Sequence, residues 1–156
     1  MHIFLIEAKV VKINFITPQY AIMKHMIKRG VLMKKLMIID GSSLLFRAFF
    51  ALPPLKSALG TPTNAVYGFL TMLIKLYEEI KPDYIAVAFD KGRQTFRTEM
   101  YSEYKGNRPD APEDLRPQFS LIQDVLKALG ICVIEEEGFE GDDILGSLSK
   151  KFGSSD

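Results

Sequence analysis

Three short apolar runs punctuate the chain, and each leads into acidic residues. Leu36–Ile39 is closed by Asp40, Tyr84–Phe89 (YIAVAF) is closed by Asp90, and Ile131–Ile134 runs toward Gly138–Asp143 (GFEGDD). Runs of this length bounded by turn residues read as buried strands of the parallel type. Between them the apolar positions recur at helical spacing. Ser42–Leu52 carries Leu44, Leu45, Phe46, Phe49 and Phe50 and is ended by Pro53-Pro54. Ala65–Ile80, capped by Thr63 or Asn64, presents Val66, Phe69, Leu70, Leu73, Ile74 and Tyr77 as a buried stripe. Pro117 suits a first helical turn, Phe119, Ile122, Val125, Leu126 and Leu129 face inward, and Gly130 is the stop. A last helix spans Asp142–Lys151.

Strand and helix alternate three times, which predicts an α/β fold with a parallel sheet and helices on both faces. Three strands make a small sheet with an exposed edge, so the expectation is the front portion of a longer domain, incomplete at its C-terminus. The domain is expected to begin near Met33, giving residues 33–156 as the domain and 1–32 as an extension. That extension is apolar and basic without a period, and Ile3–Ile6 is its longest uninterrupted apolar run. This is far too short to cross a membrane. The extension reads as a misplaced start or a dispensable tail, possible disorder included, with a basic arm for a membrane surface or nucleic acid as the alternative.

Composition is that of an ordinary globular chain: 156 residues, 47% hydrophobic and 25% charged. The net charge of +1 hides an asymmetry. Residues 1–35 carry seven Lys/Arg and one Glu, whereas the remainder carries thirteen basic and eighteen acidic residues. The single cysteine, Cys132, excludes an internal disulfide framework, fits a reducing compartment and reads as a small core residue. The only histidines are His2 and His25, which argues against a His-based triad or a zinc site.

Chemistry concentrates in the acids. Glu140, Asp142 and Asp143 fall within four positions and open a helix. Either they cap it and are solvated, or they surround a cation, since closely packed carboxylates repel. Asp40 and Asp90 tip the balance, because ligands of open α/β sheets bind beyond the carboxyl ends of the strands. If the three strands are neighbours, all five acids converge on one crevice. An all-oxygen set suits Mg²⁺ or Mn²⁺ and, with no nucleophilic His or Cys, phosphodiester chemistry. Lys91–Arg108 combines Arg93, Arg97, Lys105 and Arg108 with Phe96, Tyr101 and Tyr104. It is either a solvated charged helix or a segment that clamps phosphates and stacks on an unpaired base.

IIDGSSLLFRAFFAL, TPTNAVYGF, AFDKGRQTFR, YKGNRP, PEDLRPQ and GFEGDD, in this order, closely resemble the N-terminal 5′-nuclease domains of bacterial DNA polymerases of the first type, within the flap endonuclease family. The resemblance covers about Met33 to Lys151. It implies a PIN-like three-layer sandwich with a mostly parallel sheet. It also implies a divalent-metal-dependent 5′-3′ exonuclease or 5′-flap endonuclease acting on DNA in primer removal and repair. In such a protein Asp40, Asp90, Glu140 and Asp142 match the first metal's ligands, with Asp143 in the same acidic pocket. Arg47 matches an arginine near the scissile phosphate, Lys105 and Arg108 the bases of a helical arch, Tyr104 a stacking ring and Arg97 the TFR motif. Lys105 and Arg108 count with the acids as catalytic. The implied partners are DNA with a 5′ end or flap and a polymerase domain in the parent chain, with no membrane, in a bacterial cytoplasm near the nucleoid. Family members continue with further Asp residues for a second metal and a helix-hairpin-helix element, so a fragment that only binds DNA or metal is the alternative for these residues alone. Gly141 stands where members often have Ala, with little consequence expected.

Overall fold

The alternation of side chains along one strand decides the layering. In β2 (Lys34–Asp40), Leu36, Met37, Ile38 and Ile39 are all fully buried, so both faces of the strand are covered. Leu36 and Ile38 join one apolar cluster, whereas Met37 and Ile39 join another on the opposite face. The computed structural model describes residues 3–8, 34–95 and 110–152. β2 pairs in parallel with β3 (Tyr84–Thr95), which pairs in parallel with β4 (Cys132–Gly138). A further strand, β1 (Ile3–Ala8), lies antiparallel on the outer edge of β2, giving the order β1-β2-β3-β4. Three strands are predicted by the sequence. The fourth comes from the stretch set outside the domain, where apolar residues run without a period long enough to identify.

Helices cover both faces, as expected. α1 (Gly41–Ala51), α2 (Asn64–Ile80) and α3 (Arg116–Ala128) bury the cluster that includes Met37, Ile39, Val87 and Phe89. Phe69 of α2 stacks on Phe89 with ring centroids 6.4 Å apart. α4 (Gly141–Phe152) covers the other face with Ile144, Leu145 and Leu148 against Leu36, Ile38, Ala86 and Ala88. At the β2–α1 corner Gly41 has no room for a side chain: an added Cβ would lie 2.6 Å from the Phe89 ring. The Asp-Gly pair therefore lets α1 start directly on β3.

Some helical positions differ from the periodic expectation. Ile74, Tyr77 and Leu129 are exposed, not inward. The core face of α2 is narrower than its apolar stripe, with Val66, Phe69 and Leu73 buried. Leu129 sits at the end of α3, where the chain turns through Gly130 at positive φ. Thr63 is the N-cap of α2, yet its side chain makes no capping bond.

That cap is replaced from across the sequence. Gln118 of α3 is fully buried, and its Oε1 accepts from the backbone N–H groups of Ala65 at 2.8 Å and Val66 at 3.2 Å. Its Nε2 donates to Asn64 Oδ1 and to the Asp114 carbonyl, and Asn64 Nδ2 donates to the Phe49 carbonyl of α1. One amide thus satisfies orphan donors of a helix start and ties three helices together. The TPTNAVYGF and PEDLRPQ segments meet here, so this part of their pattern supports the fold. Gln118→Ala leaves those donors unpaired in the interior and is expected to lower stability by about 2–4 kcal/mol. A urea denaturation midpoint unchanged from the parent chain contradicts that account.

Candidate metal centre

Parity carries the acids to one face. Leu36 and Ile38 face α4, and Asp40 continues that series at the end of β2. Ala86 and Ala88 face α4, and Asp90 continues theirs. Asp90 does not close its strand, as the sequence suggests. β3 runs on to Thr95, paired with β4 as far as Gly138. These extra positions are polar and charged, so their strand character comes from backbone pairing and not from apolar patterning.

Asp40 and Asp90 are each held by donors. Asp40 is buried and caps α1: its Oδ1 accepts from the Ser43 N–H at 2.9 Å and its Oδ2 from the Ser43 hydroxyl. Ser42, one residue before, accepts the Asp90 N–H at its Oγ, 3.1 Å away, and so clamps the α1 start to β3. Asp90 Oδ1 accepts from the Gly141 N–H at 2.6 Å, which docks the first turn of α4 on the carboxylate. A Cβ added at Gly141 would sit 3.3 Å from Asp90 Oδ1 and 3.6 Å from Asp40 Oδ1, so both carboxylates flank one point at the N-terminus of α4.

The GFEGDD acids divide their roles. Glu140 precedes α4 and is buried. The Glu140 N–H donates to Asp143 Oδ2 at 3.1 Å, the reach-back arm of a capping box, so the capping alternative holds for Asp143. Asp142 is exposed in the first turn, where a negative charge is favoured by the helix dipole. Sequence reasoning misses Ser42 and Ser43 and also Glu136, which lies opposite Asp90 in the β3–β4 register. Glu136 follows Cys132 and Ile134 on the α4 face, and extending that alternation two residues past the apolar run is the signal that finds it. Arg47 is exposed on α1. Arg97, Tyr101, Tyr104, Lys105 and Arg108 lie outside the described residues. Cys132 is partly buried, and burial pushes its thiol pKa up, which suits packing over reactivity.

The donor chemistry fits a hard divalent cation: oxygens only, and Asp40 and Asp90 keep lone pairs beyond the hydrogen bonds they accept. The geometry supplies two converging carboxylates. Among the described residues, no group of three or more His, Cys, Asp or Glu side chains is arranged to hold a metal ion. The same residues contain no helix long and apolar enough to cross a membrane.

Residues 35–156 match the model of the 5′-3′ exonuclease N-terminal resolvase-like domain. DNA polymerase I of Caldicellulosiruptor bescii is 49% identical over 118 residues, spanning 76% of this chain and 14% of that one. The 5′-3′ exonuclease of Aquifex aeolicus is 48% identical over 120 residues, spanning 77% of this chain and 42% of that one. The matched part of the chain therefore spans less than half the length of each of these relatives. Among solved structures, bacteriophage T5 5′-exonuclease with bound divalent metal ions (zinc) superposes with a TM-score of 0.52 at 25% identity, over 74% of this chain and 43% of that chain. A bacteriophage T5 flap endonuclease in a pseudo-enzyme-product complex with DNA and metal ions gives 0.51 at 26% identity, over the same shares, 74% and 43%.

The hydrogen bond from Gly141 predicts a difference between two substitutions. Asp90→Asn keeps the acceptor and removes one of two facing charges, so without divalent metal the variant is expected to be at least as stable as the parent. Asp90→Ala removes the acceptor and is expected to cost about 1 kcal/mol. Denaturation in a chelating buffer checks the order of the two, and Asp90→Asn falling below Asp90→Ala contradicts the bonding described.

Proposed function

We propose a function from one premise: the chain belongs to the family of the 5′-3′ exonuclease N-terminal resolvase-like domain. Its role is that of the N-terminal, PIN-like part of a divalent-metal-dependent 5′ nuclease of the DNA polymerase I type. The substrate is DNA with a 5′ end or 5′ flap, and the metal is Mg²⁺ or Mn²⁺. The observation that carries this is the meeting of Asp40 and Asp90, from adjacent parallel strands, at the first turn of α4. The names of the relatives, and the metal ions and DNA in the T5 structures, support it.

In this proposal Asp40 and Asp90 hold the cation, with Glu140, Asp142 and Asp143 completing the acidic pocket. A divalent cation there supplies charge stabilisation on the phosphate and a reactive water at neutral pH. Ser43 fixes Asp40, and the Gly141 N–H fixes Asp90, so neither carboxylate must be ordered when substrate arrives. Arg47, Arg97, Lys105 and Arg108 bind phosphates and offset the acidity, and Tyr104 stacks on an unpaired base. The polymerase domain belongs to a longer parent chain, and the setting is the bacterial cytoplasm.

A second reading has its own observation. In it the Asp40–Asp90 corner attracts a cation, and these residues by themselves bind metal or DNA without cleaving it. A 5′-flap cleavage assay with Mg²⁺ or Mn²⁺ separates the two, with this chain run beside a version extended by the following segment of a relative. Activity in the extended version alone places the nuclease in the longer protein, and activity in neither removes the nuclease proposal.

Asp142→Asn is expected to weaken Mn²⁺ binding and abolish cleavage in the extended protein, measured by metal titration and by rate; unchanged affinity and rate remove Asp142 from the site. Arg108→Ala is expected to reduce the slope of log affinity against log salt by about one unit on single-stranded DNA. An unaltered slope excludes a phosphate contact.

A further inference from the structure

β2 hands over to α1 through Asp40-Gly41, the sole Asp-Gly step in the sequence. Such a step is chemically weak. The main-chain nitrogen that follows an aspartate can attack the aspartate Cγ, and glycine has no side chain to hinder the approach. Neither residue is readily replaced here. A Cβ at position 41 would lie 2.6 Å from the Phe89 ring and 2.7 Å from Val87 Cγ1, so packing demands glycine. Position 40 caps α1 and, on the nuclease reading, holds the cation. The folded corner opposes the attack in two ways. Ring closure needs Asp40 Cβ nearly eclipsed with the Gly41 nitrogen about the Cα–C bond. At the observed ψ of 100° the two lie on opposite sides of that bond, far from eclipsed. The carboxylate is also tethered: Oδ1 accepts from the Ser43 N–H at 2.9 Å and Oδ2 from the Ser43 hydroxyl. Turning ψ into the reactive range swings Gly41 away from Phe89 and breaks the cap, so α1 must first release its opening turn.

We propose that Asp40-Gly41 is a latent modification site, converted to isoaspartate by way of a succinimide whenever the first turn of α1 opens. The Gly41 nitrogen forms a bond to Asp40 Cγ. One carboxyl oxygen leaves as water, taking the amide proton and one proton from solvent. Water then opens the succinimide at one of its two carbonyl carbons. Attack at Cγ regenerates Asp40. Attack at the main-chain carbonyl leaves the chain running through Cβ and Cγ, with a free carboxylate on Cα. The isoaspartyl chain is one atom longer at the β2–α1 corner, and its carboxylate is displaced from the point it shares with Asp90, so the cap and the acidic corner are both lost. Ser43 thus protects Asp40 chemically as well as positioning it. The chemistry does not depend on nuclease activity; only its consequence for the cation does, and no measurement below reads activity.

Hydrolysis of the succinimide in heavy-oxygen water leaves a heavy oxygen at residue 40, which peptide mass spectrometry counts, and electron-transfer fragmentation identifies the isoaspartate. In the full chain unfolded in guanidinium, uptake at Asp40 is expected to exceed that at every other aspartate. In the folded chain it is expected to be slower by at least about tenfold, because only the opened turn reacts. Folded Ser43→Ala, which lacks the hydroxyl bond to the carboxylate, is expected to take up label about tenfold faster than the parent, and Ser43→Thr to match the parent. Uptake at Asp40 no faster than elsewhere in the unfolded chain overturns the proposal, as does equal uptake by folded and unfolded chains. A folded Ser43→Ala chain that keeps the parent rate overturns it too. If that variant does not fold, the parent decides alone. A local opening exposes little surface, so uptake by the folded parent is expected to stay flat at low guanidinium. Uptake that rises from the start with the slope of global unfolding overturns the proposal.

Discussion

Two carboxylates set side by side on neighbouring strands are the constraint on which the rest depends. The Asp40 and Asp90 Oδ1 atoms flank a single point at Gly141, 3.6 and 3.3 Å away. The two oxygens are therefore at most about 7 Å apart, and unit charges at that separation or closer repel by about 2 kcal/mol or more at an effective dielectric of about 20. The fold offsets this without a cation. Asp40 caps the start of α1 and Asp90 receives the first N–H of α4, so the positive ends of two helices point at the pair. A helix terminus contributes typically about 0.3–1 kcal/mol, and about 2 in favourable buried settings. Two such termini are comparable to the repulsion. The corner is thus stable enough to be preformed, yet still electronegative enough for a cation to add to it.

The hydrogen bonds at this corner also join the layers. Ser42 links α1 to β3, Gly141 links α4 to β3, and Asp143 secures the entry to α4. On the far side of the sheet, Gln118 and Asn64 fasten α1, α2 and α3 to one another. α1 is therefore fixed at both ends, by Asp40 at its start and by Asn64 near its finish. Arg47, exposed midway along it, inherits a defined position from those two anchors.

What the sequence made legible, and what it did not, follows from which force acts where. Apolar runs reveal β2 and the first halves of β3 and β4, because burial on both faces leaves a compositional mark. It hides Asp90–Thr95 and Glu135–Gly138, whose strand state rests on pairing between polar residues. The acids of the site are legible as strand-end carboxylates, but their hydrogen-bond partners are less so, because Gly141 and, in one of its two bonds, Ser43 act through main-chain groups any residue carries. Gln118 is a polar residue in the core for the sake of donors more than fifty positions away, which no local pattern records. Ile74 and Tyr77 mislead in the opposite sense, since a helical stripe shows what α2 could bury and not what its neighbours reach. The basic and aromatic stretch around Arg97, Tyr104, Lys105 and Arg108 lies outside the described residues.

Core and site are bound by the same two-residue period. Leu36, Ile38 and Asp40 form one series, as do Ala86, Ala88 and Asp90. Shifting either strand by one residue moves its apolar side chains to the wrong layer and its carboxylate to the opposite face. The hydrophobic energy of the core therefore specifies the position of the charges, although the charges oppose burial. Ala86 and Ala88 add a second condition. Their small side chains let α4 lie close to β3, close enough for its first N–H to reach Asp90. A larger residue at Ala88 lifts α4 and separates the helix terminus from the carboxylate it compensates, so packing volume in this layer sets the electrostatics of the corner.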